Sequence, residues 1–348
     1  MRYKLLGKSG LRVSELCLGT MTFGEEWGWG ASKEESRRMF NAFTEAGGNF
    51  IDTANHYTKG TSESYVGEFI ASSREQYVVA TKYTLTDRPN DPNGGGNHRK
   101  SLVQSLEGSL KRLNTEYIDL YWVHAWDEFT PIEEVMRALD DQVRAGKILY
   151  VGISDTPAWV VTRGNTFAEL CGWSPFIGIQ VQYNILERTT EREILPMARA
   201  LEIGATIWSP LKGGVLSGKY NEKRNEPMRY SIDHPMRASS LNERNLAITK
   251  TVMEVAQTIG RTPAQVALNW IRQKKEFGVL IPIIGGRNVT QIRENLGCLE
   301  FELNMEQMRI LDEYSKIEPG FPNDFLNAEM AQHLIHGDTY HLIDCPRK

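Results

Sequence analysis

Four residues of this sequence could do acid–base chemistry together. Asp52 closes the apolar run Asn49-Phe50-Ile51, and Tyr57 follows five positions later; Lys82 closes Val78-Val79-Ala80-Thr81, and His124 closes Leu120-Tyr121-Trp122-Val123. A free tyrosine titrates near pH ~10, too weak an acid for work at neutrality. A lysine cation within about 4–6 Å lowers that value, and an aspartate keeps the lysine charged and in place. Histidine can donate to a carbonyl oxygen and fix its orientation. Such a group suits protonation of that oxygen by the phenol while a hydride reaches the carbon.

Each residue has a plainer reading when taken alone. A strand-end aspartate is commonly a turn residue, a lysine a solvated loop cation, a tyrosine an ordinary aromatic, and a histidine a hydrogen-bonded core residue. Their register decides between the readings. Successive apolar runs end at or just before them, so one rim of a sheet would receive all four.

The elements that must carry them recur along the chain. After a hairpin over 1–14, turning at Gly7-Lys8-Ser9-Gly10, apolar strand candidates stand at 15–19, 49–52, 77–81, 118–124, 149–154, 177–182, 205–208 and 279–284. Amphipathic helical patterns fill the gaps. Leu102, Leu106, Leu110 and Leu113 form one face. Thr130-Pro131 with Glu133, Thr156-Pro157, and Thr262-Pro263 with Gln265 read as helix starts with capping threonines. Strands alternating with helices predict a parallel sheet covered by helices, open or closed, and the count of eight favours the closed (β/α)8 TIM barrel with the hairpin as a cap. Residues 84–99 and 212–243, rich in Gly, Pro and charge, read as long rim loops, and 318–348 as a C-terminal tail, a substrate-side loop. No linker or repeat interrupts the chain, so 1–348 reads as one domain.

Composition narrows the function. Lys+Arg 40 against Asp+Glu 44, without a basic block, gives no footprint for nucleic acid or an anionic membrane. The N-terminus is charged from Arg2, and no window of about 18 apolar residues exists, so the expectation is a cytoplasmic protein. Cys17, Cys171, Cys298 and Cys345 lack metal or redox spacing and read as three buried thiols and one tail thiol. G-x-G-x-x-G after a strand, G-x-x-x-x-G-K-[ST], H-E-x-x-H and G-x-S-x-G are all absent. The Rossmann, P-loop, zincin and hydrolase chemistries lack their fingerprints, and no metal site is expected.

Asp52-Thr53-Ala54-Asn55-His56-Tyr57, with Gly60-Thr61-Ser62-Glu63 and Gly67 beyond, resembles the aldo-keto reductase superfamily. So do Leu18-Gly19-Thr20-Met21, Thr81-Lys82, the run ending at His124, Val151-Gly152-Ile153-Ser154, Gln180-Val181-Gln182-Tyr183-Asn184, Trp208-Ser209-Pro210-Leu211 and Gly285-Gly286-Arg287 with Glu294-Asn295. The resemblance covers about residues 1–316 in order. It implies a barrel that holds an extended NADPH, or NADH, across its C-terminal rim, with Asp52, Tyr57, Lys82 and His124 as the catalytic tetrad. Gly19, Thr20, Met21 and Asp52 would lie along the cofactor. Ser154 and Gln180 match residues that hold the nicotinamide carboxamide, and Trp208 the aromatic that stacks on its ring. Ser209 and Pro210 would also bind the cofactor, Leu211, Gly213, Gly214, Leu216 and Gly218 would line the pyrophosphate loop, and Lys212 and Lys219 would add charge there. Gly286, Arg287, Gln291, Glu294 and Asn295 would meet the adenosine end.

Three positions depart from the family pattern. Asp155 stands where Asn is usual after the serine, Gly285 where many relatives have lysine, and Gln291 where many have arginine, which leaves Arg287 as the guanidinium suited to a 2′-phosphate. Trp27, Trp29 and Trp126, with tail aromatics such as Phe325, would wall an apolar substrate pocket. The resemblance thus implies an NADPH-dependent reductase of aldehydes or ketones acting on a small-molecule carbonyl substrate. It leaves open a regulatory role like that of potassium-channel β subunits, an NAD(P)+-dependent dehydrogenase acting on a sugar or alcohol, and the oligomeric state.

Overall fold

The computed structural model describes residues 1–221 and 237–344. Each apolar run of the sequence forms a strand, because β-branched and aromatic side chains suit a pleated surface covered on both faces. After a hairpin of β1 (Tyr3–Leu5) and β2 (Arg12–Ser14) come β3 (Cys17–Gly19), β4 (Phe50–Asp52), β5 (Val78–Tyr83) and β6 (Ile118–Val123). These are followed by β7 (Ile148–Ser154), β8 (Phe176–Gln182), β9 (Gly204–Trp208) and β10 (Leu280–Ile284). The last eight close into one barrel in the order β10-β3-β4-β5-β6-β7-β8-β9, every pairing parallel. Parallel closure brings all the strand C-termini to one rim, where the connecting loops are free to carry chemistry.

Two apolar layers hold the barrel. Between sheet and helices, Ile51, Val79, Tyr121 and Val151 pack with Met39, Leu106 and Val135. Inside it, Phe50, Ala80, Leu120, Trp122 and Ile281 meet Leu6 and Val13 of the hairpin, which closes the N-terminal end. The largest interior group is Trp122, fully buried. Glycines on the two following strands make room for it: a Cβ on Gly178 would lie 2.8 Å from the indole, and one on Gly152 would collide with it outright. The period of two along a strand then sets the rim. Asp52, Lys82 and His124 each stand two residues beyond the interior groups Phe50, Ala80 and Trp122, so the same alternation that fills the core delivers polar groups to the C-terminal mouth.

The helix starts correct part of the sequence reading. Thr262 and Gln265 form the expected capping box. Thr130 does not cap: Pro131 takes the cap position of helix Ile132–Arg144, and the Thr130 hydroxyl and N–H both donate to Asp127. Thr156 likewise turns back to the Ser154 carbonyl, 2.7 Å away, leaving Pro157 at the cap of helix Ala158–Cys171. In both cases the helix starts one residue later than the threonine predicts, and the hydroxyl serves the preceding turn as a donor. Cys171, expected to be buried, is exposed at the end of that helix, while Cys17 and Cys298 are buried and Cys345 lies outside the described residues. The 84–99 loop runs to the helix start at Arg99, and only the ends of the 212–243 segment, to 221 and from 237, are described. The tail holds the short helices Asn323–Leu326 and Glu329–His336. Its root is tied to the loop after β8, where Arg192 donates to the Glu318 carbonyl and Asn323 to that of Arg192.

Candidate active site

The four rim residues converge. Lys82, fully buried, donates from Nζ to Asp52 Oδ2 at 2.5 Å, to the Thr53 carbonyl at 2.8 Å and to the Tyr57 hydroxyl at 3.2 Å. Gln180 Nε2 donates to the other Asp52 oxygen at 2.9 Å. Asp52 thus has both oxygens engaged, and every proton of the ammonium has an acceptor. His124 meets the Tyr57 ring edge-on, centroids 6.0 Å apart. Its Nδ1 is buried with no hydrogen-bond partner among the described residues, while its backbone N–H donates to the Tyr83 carbonyl at 3.2 Å. Below them a hydroxyl cluster locks β3 to β4: Thr20 donates to the Asp52 carbonyl at 3.0 Å and meets Ser62, which also contacts Thr53.

Environment sets the protonation states. Burial, with the Lys82 and His56 charges added, pushes His124 well below its usual value, so the imidazole is neutral at physiological pH. Burial opposes the charge on Lys82, but Asp52 and Tyr57 outweigh it and the direction is upward, keeping the ammonium. For Tyr57 the expected lowering by Lys82 does not prevail. Burial of the phenol is the largest influence, the Lys82 charge only offsets part of it, and the direction is upward. The site therefore offers a protonated phenol backed by a cation and flanked by a neutral imidazole, an arrangement able to give a proton to an oxygen placed in the cleft.

The residues fit a nicotinamide dinucleotide. Past β9, Lys212, Gly213 and Gly214 have φ of 46°, 61° and 91°, a concave run of left-handed backbone of the kind that receives anions. A Cβ on Gly214 would stand 3.0 Å from Cε and 3.2 Å from Nζ of Lys219, so that glycine lets the ammonium lie against the loop. Ser154 is buried at the end of β7, and Trp208 ends β9 with its Nε1 donating to Asp155. Ser209 has φ 51° and accepts from Asn184, while Pro210 is buried and Met21 and Leu211 are half-buried. Gly19 ends β3, where a Cβ would lie 2.6 Å from Ile283. On the far side, Arg287 precedes helix Val289–Leu296, which Asn288 caps. Gln291 accepts from the Arg287 N–H at 2.8 Å, Thr22 donates to the Gly286 carbonyl, Asn295 donates to that of Gly285, and Glu294 is exposed.

On the substrate side the tryptophans part company. Trp27 lies 6.4 Å from Tyr57 and 5.5 Å from Trp29, centroid to centroid, so the pair builds an aromatic wall beside the phenol. Trp126 packs, half-buried, against the outer apolar layer, and Phe325 is exposed on its tail helix. An open cavity of about 370 Å³ adjoins the rim, lined by Asp155, Gln182, Glu187, Thr190, Ile194 and Trp208 among others.

Several residues around the site were given no role in the sequence reading, although Glu63 stands in the motif that follows Tyr57. Glu63 is fully buried and accepts from Thr81 and from Arg112, both at 2.6 Å, which ties the Lys82 strand to the helix Thr61–Ile70. Asp87 holds Asn55 and His56 beside Tyr57. Glu35 accepts from the Val289 N–H at 2.6 Å, at the N-terminus where Arg287 stands. None of these pairings carries a local signal, since each partner is more than fifteen residues away.

A closed parallel barrel whose mouth gathers a carboxylate, a cation, a phenol and a neutral imidazole defines a TIM-barrel protein with a candidate acid–base site. Residues 15–316 match the model of the Aldo/keto reductase family. The chain is 37% identical to an aryl-alcohol dehydrogenase [NADP(+)] of Phanerodontia chrysosporium, over 95% of this chain and 90% of that one. It is 37% identical to a norsolorinic acid reductase of Aspergillus flavus, over 92% of this chain and 83% of the other, and 38% identical to one of Emericella nidulans, over 91% and 82%. The chain belongs to the aldo/keto reductase family and is an oxidoreductase. Among the described residues no helix is long and apolar enough to cross a membrane, and no cluster of His, Cys, Asp or Glu could hold a metal ion.

Proposed function

We propose that this protein reduces aldehydes or ketones to alcohols with NADPH, and reversibly oxidises the alcohols, with aryl carbonyl compounds as the substrate class. The observation that carries the reading is the bridge made by Lys82 from Asp52 at 2.5 Å to the Tyr57 hydroxyl at 3.2 Å. Bound NADPH would supply the hydride. Tyr57 gives its hydroxyl proton to the carbonyl oxygen, Lys82 stabilises the phenolate left behind, and Asp52 holds Lys82. The His124 ring, neutral, donates to the same oxygen and orients the carbonyl. Ser154, Gln180 and Trp208 would hold the nicotinamide end, the Lys212–Gly214 nest the pyrophosphate, and Arg287 a 2′-phosphate. The Trp27–Trp29 wall supports a flat aromatic substrate, in keeping with the aryl alcohol and norsolorinic acid named for the relatives.

The test is oxidation of NADPH followed at 340 nm with a panel of aryl and alkyl aldehydes and ketones, repeated with NADH. Tyr57→Phe is expected to lower kcat by about 10²–10⁴-fold while NADPH affinity stays within about twofold. Turnover by that variant equal to wild type would refute the assignment of the acid.

A further inference from the structure

Asp155 occupies an unusual place in the rim. It follows Ser154 at the end of β7, its φ is 42°, and its N–H donates to the Gln180 carbonyl at 3.3 Å. A left-handed residue at this point turns the chain sharply, and Asp is among the side chains that tolerate that conformation. The turn carries the carboxylate across β8 to β9, where Oδ1 accepts from Trp208 Nε1 at 3.0 Å. That N–H is the only polar group of the indole, so the bond fixes the rotation of the ring. Asp155 itself is exposed, on the wall of the open cavity of about 370 Å³ that it shares with Trp208 and Glu187. Burial of its inner side pushes the carboxyl up from the ordinary carboxylate range, the Trp208 N–H and the Lys82 charge offset part of that rise, and its contact with water in the open cavity keeps it ionised at neutral pH. The same turn therefore fixes an aromatic ring and sets a negative charge next to Ser154, Gln180 and Trp208.

Resting on the cofactor assignment above, we propose that Asp155 is a positioning residue that orients Trp208 and places a negative charge beside the nicotinamide end of the cleft, so that the chain discriminates in favour of the oxidised cofactor. The oxidised nicotinamide ring carries a positive charge and the reduced ring none, so a nearby carboxylate attracts one redox state and is indifferent to the other. Through a partly solvated rim the attraction amounts to a several-fold change in affinity. Glu187, facing the same cavity, adds to it in the same sense, and the Lys82 ammonium opposes it.

The experiment measures Kd for NADP+, for NADPH and for 2′-phospho-ADP-ribose, which lacks the nicotinamide, by titration calorimetry on the full chain and on Asp155→Asn and Asp155→Ala. Asp155→Asn keeps an acceptor for the indole and removes the charge. It is expected to weaken NADP+ about five- to tenfold, with NADPH and the fragment within about twofold of wild type. Asp155→Ala is expected to show the same loss of discrimination together with a several-fold weakening of both complete cofactors, because the indole is released. An unchanged NADP+ to NADPH ratio in Asp155→Asn overturns the charge role, and identical affinities in the two variants overturn the positioning role. A weakened fragment in Asp155→Asn also overturns the proposal, since it locates the effect away from the nicotinamide. Failure of the wild-type chain to bind any of the three overturns the cofactor assignment instead.

Discussion

Lys82→Met removes the one buried cation that both Asp52 and Tyr57 depend on. In the native barrel the Nζ has three acceptors, and Asp52, itself 3% exposed, would keep a single hydrogen bond from Gln180 after the change. Breaking a buried pair by deleting one partner leaves an uncompensated charge, at a cost of about 3–5 kcal/mol. With the usual unfolding entropy per residue and 348 residues, that loss lowers Tm by about 4–7 °C. The double variant Asp52→Asn/Lys82→Met has no orphaned charge, and its amide still accepts from Gln180. It is therefore expected to regain at least about half of the lost stability. Activity should follow a different course. Tyr57 loses the charge that offsets its burial, so both variants should lose about 10²–10⁴-fold in kcat. The assay pairs thermal or urea unfolding of wild type, both single variants and the double with kcat for NADPH-dependent reduction of an aryl aldehyde. A double variant no more stable than Lys82→Met would refute the buried-pair reasoning, and wild-type kcat in Lys82→Met would refute the role of the cation.

The pH dependence follows from the directions of two shifts. Reduction needs the phenol protonated, a form present below its pKa and lost as pH rises through it, and burial places that pKa above its ordinary value. With His124 held neutral by its own downward shift, kcat/KM for reduction should stay flat from about pH 6 to 9, and kcat/KM for alcohol oxidation should climb over the same range. A basic fall in the reduction profile near neutrality would show that the acid is not this tyrosine. At the loop past β9, Gly214→Ala must hold a side chain at φ 91° and displace the Lys219 ammonium from against the backbone. The expected result is NADPH bound roughly tenfold more weakly by fluorescence titration, with stability lowered by about 1 kcal/mol. Unchanged affinity would remove the nest from the binding surface.

The barrel and the candidate reacting groups were both readable in the sequence. Eight apolar runs separated by helix-length patterns leave few alternatives to a parallel closed sheet, and the period of two along each run commits Asp52, Lys82 and His124 to the same side of the wall as Phe50, Ala80 and Trp122. Both are local properties, written in neighbouring residues. Capping threonines were legible only in part, because the prolines after Thr130 and Thr156 take the cap positions and the two hydroxyls donate to Asp127 and to the Ser154 carbonyl. What tertiary structure alone decided is pairing across the fold and the balance of desolvation against charge. Glu63 with Arg112, Glu35 with the Val289 N–H, and Asp155 with Trp208 join elements far apart in sequence, and no spacing rule foretells them. The direction of the Tyr57 shift belongs to the same class: the sequence names the lysine that lowers it, but how deeply the phenol is buried depends on every chain segment that meets at the rim, and burial prevails.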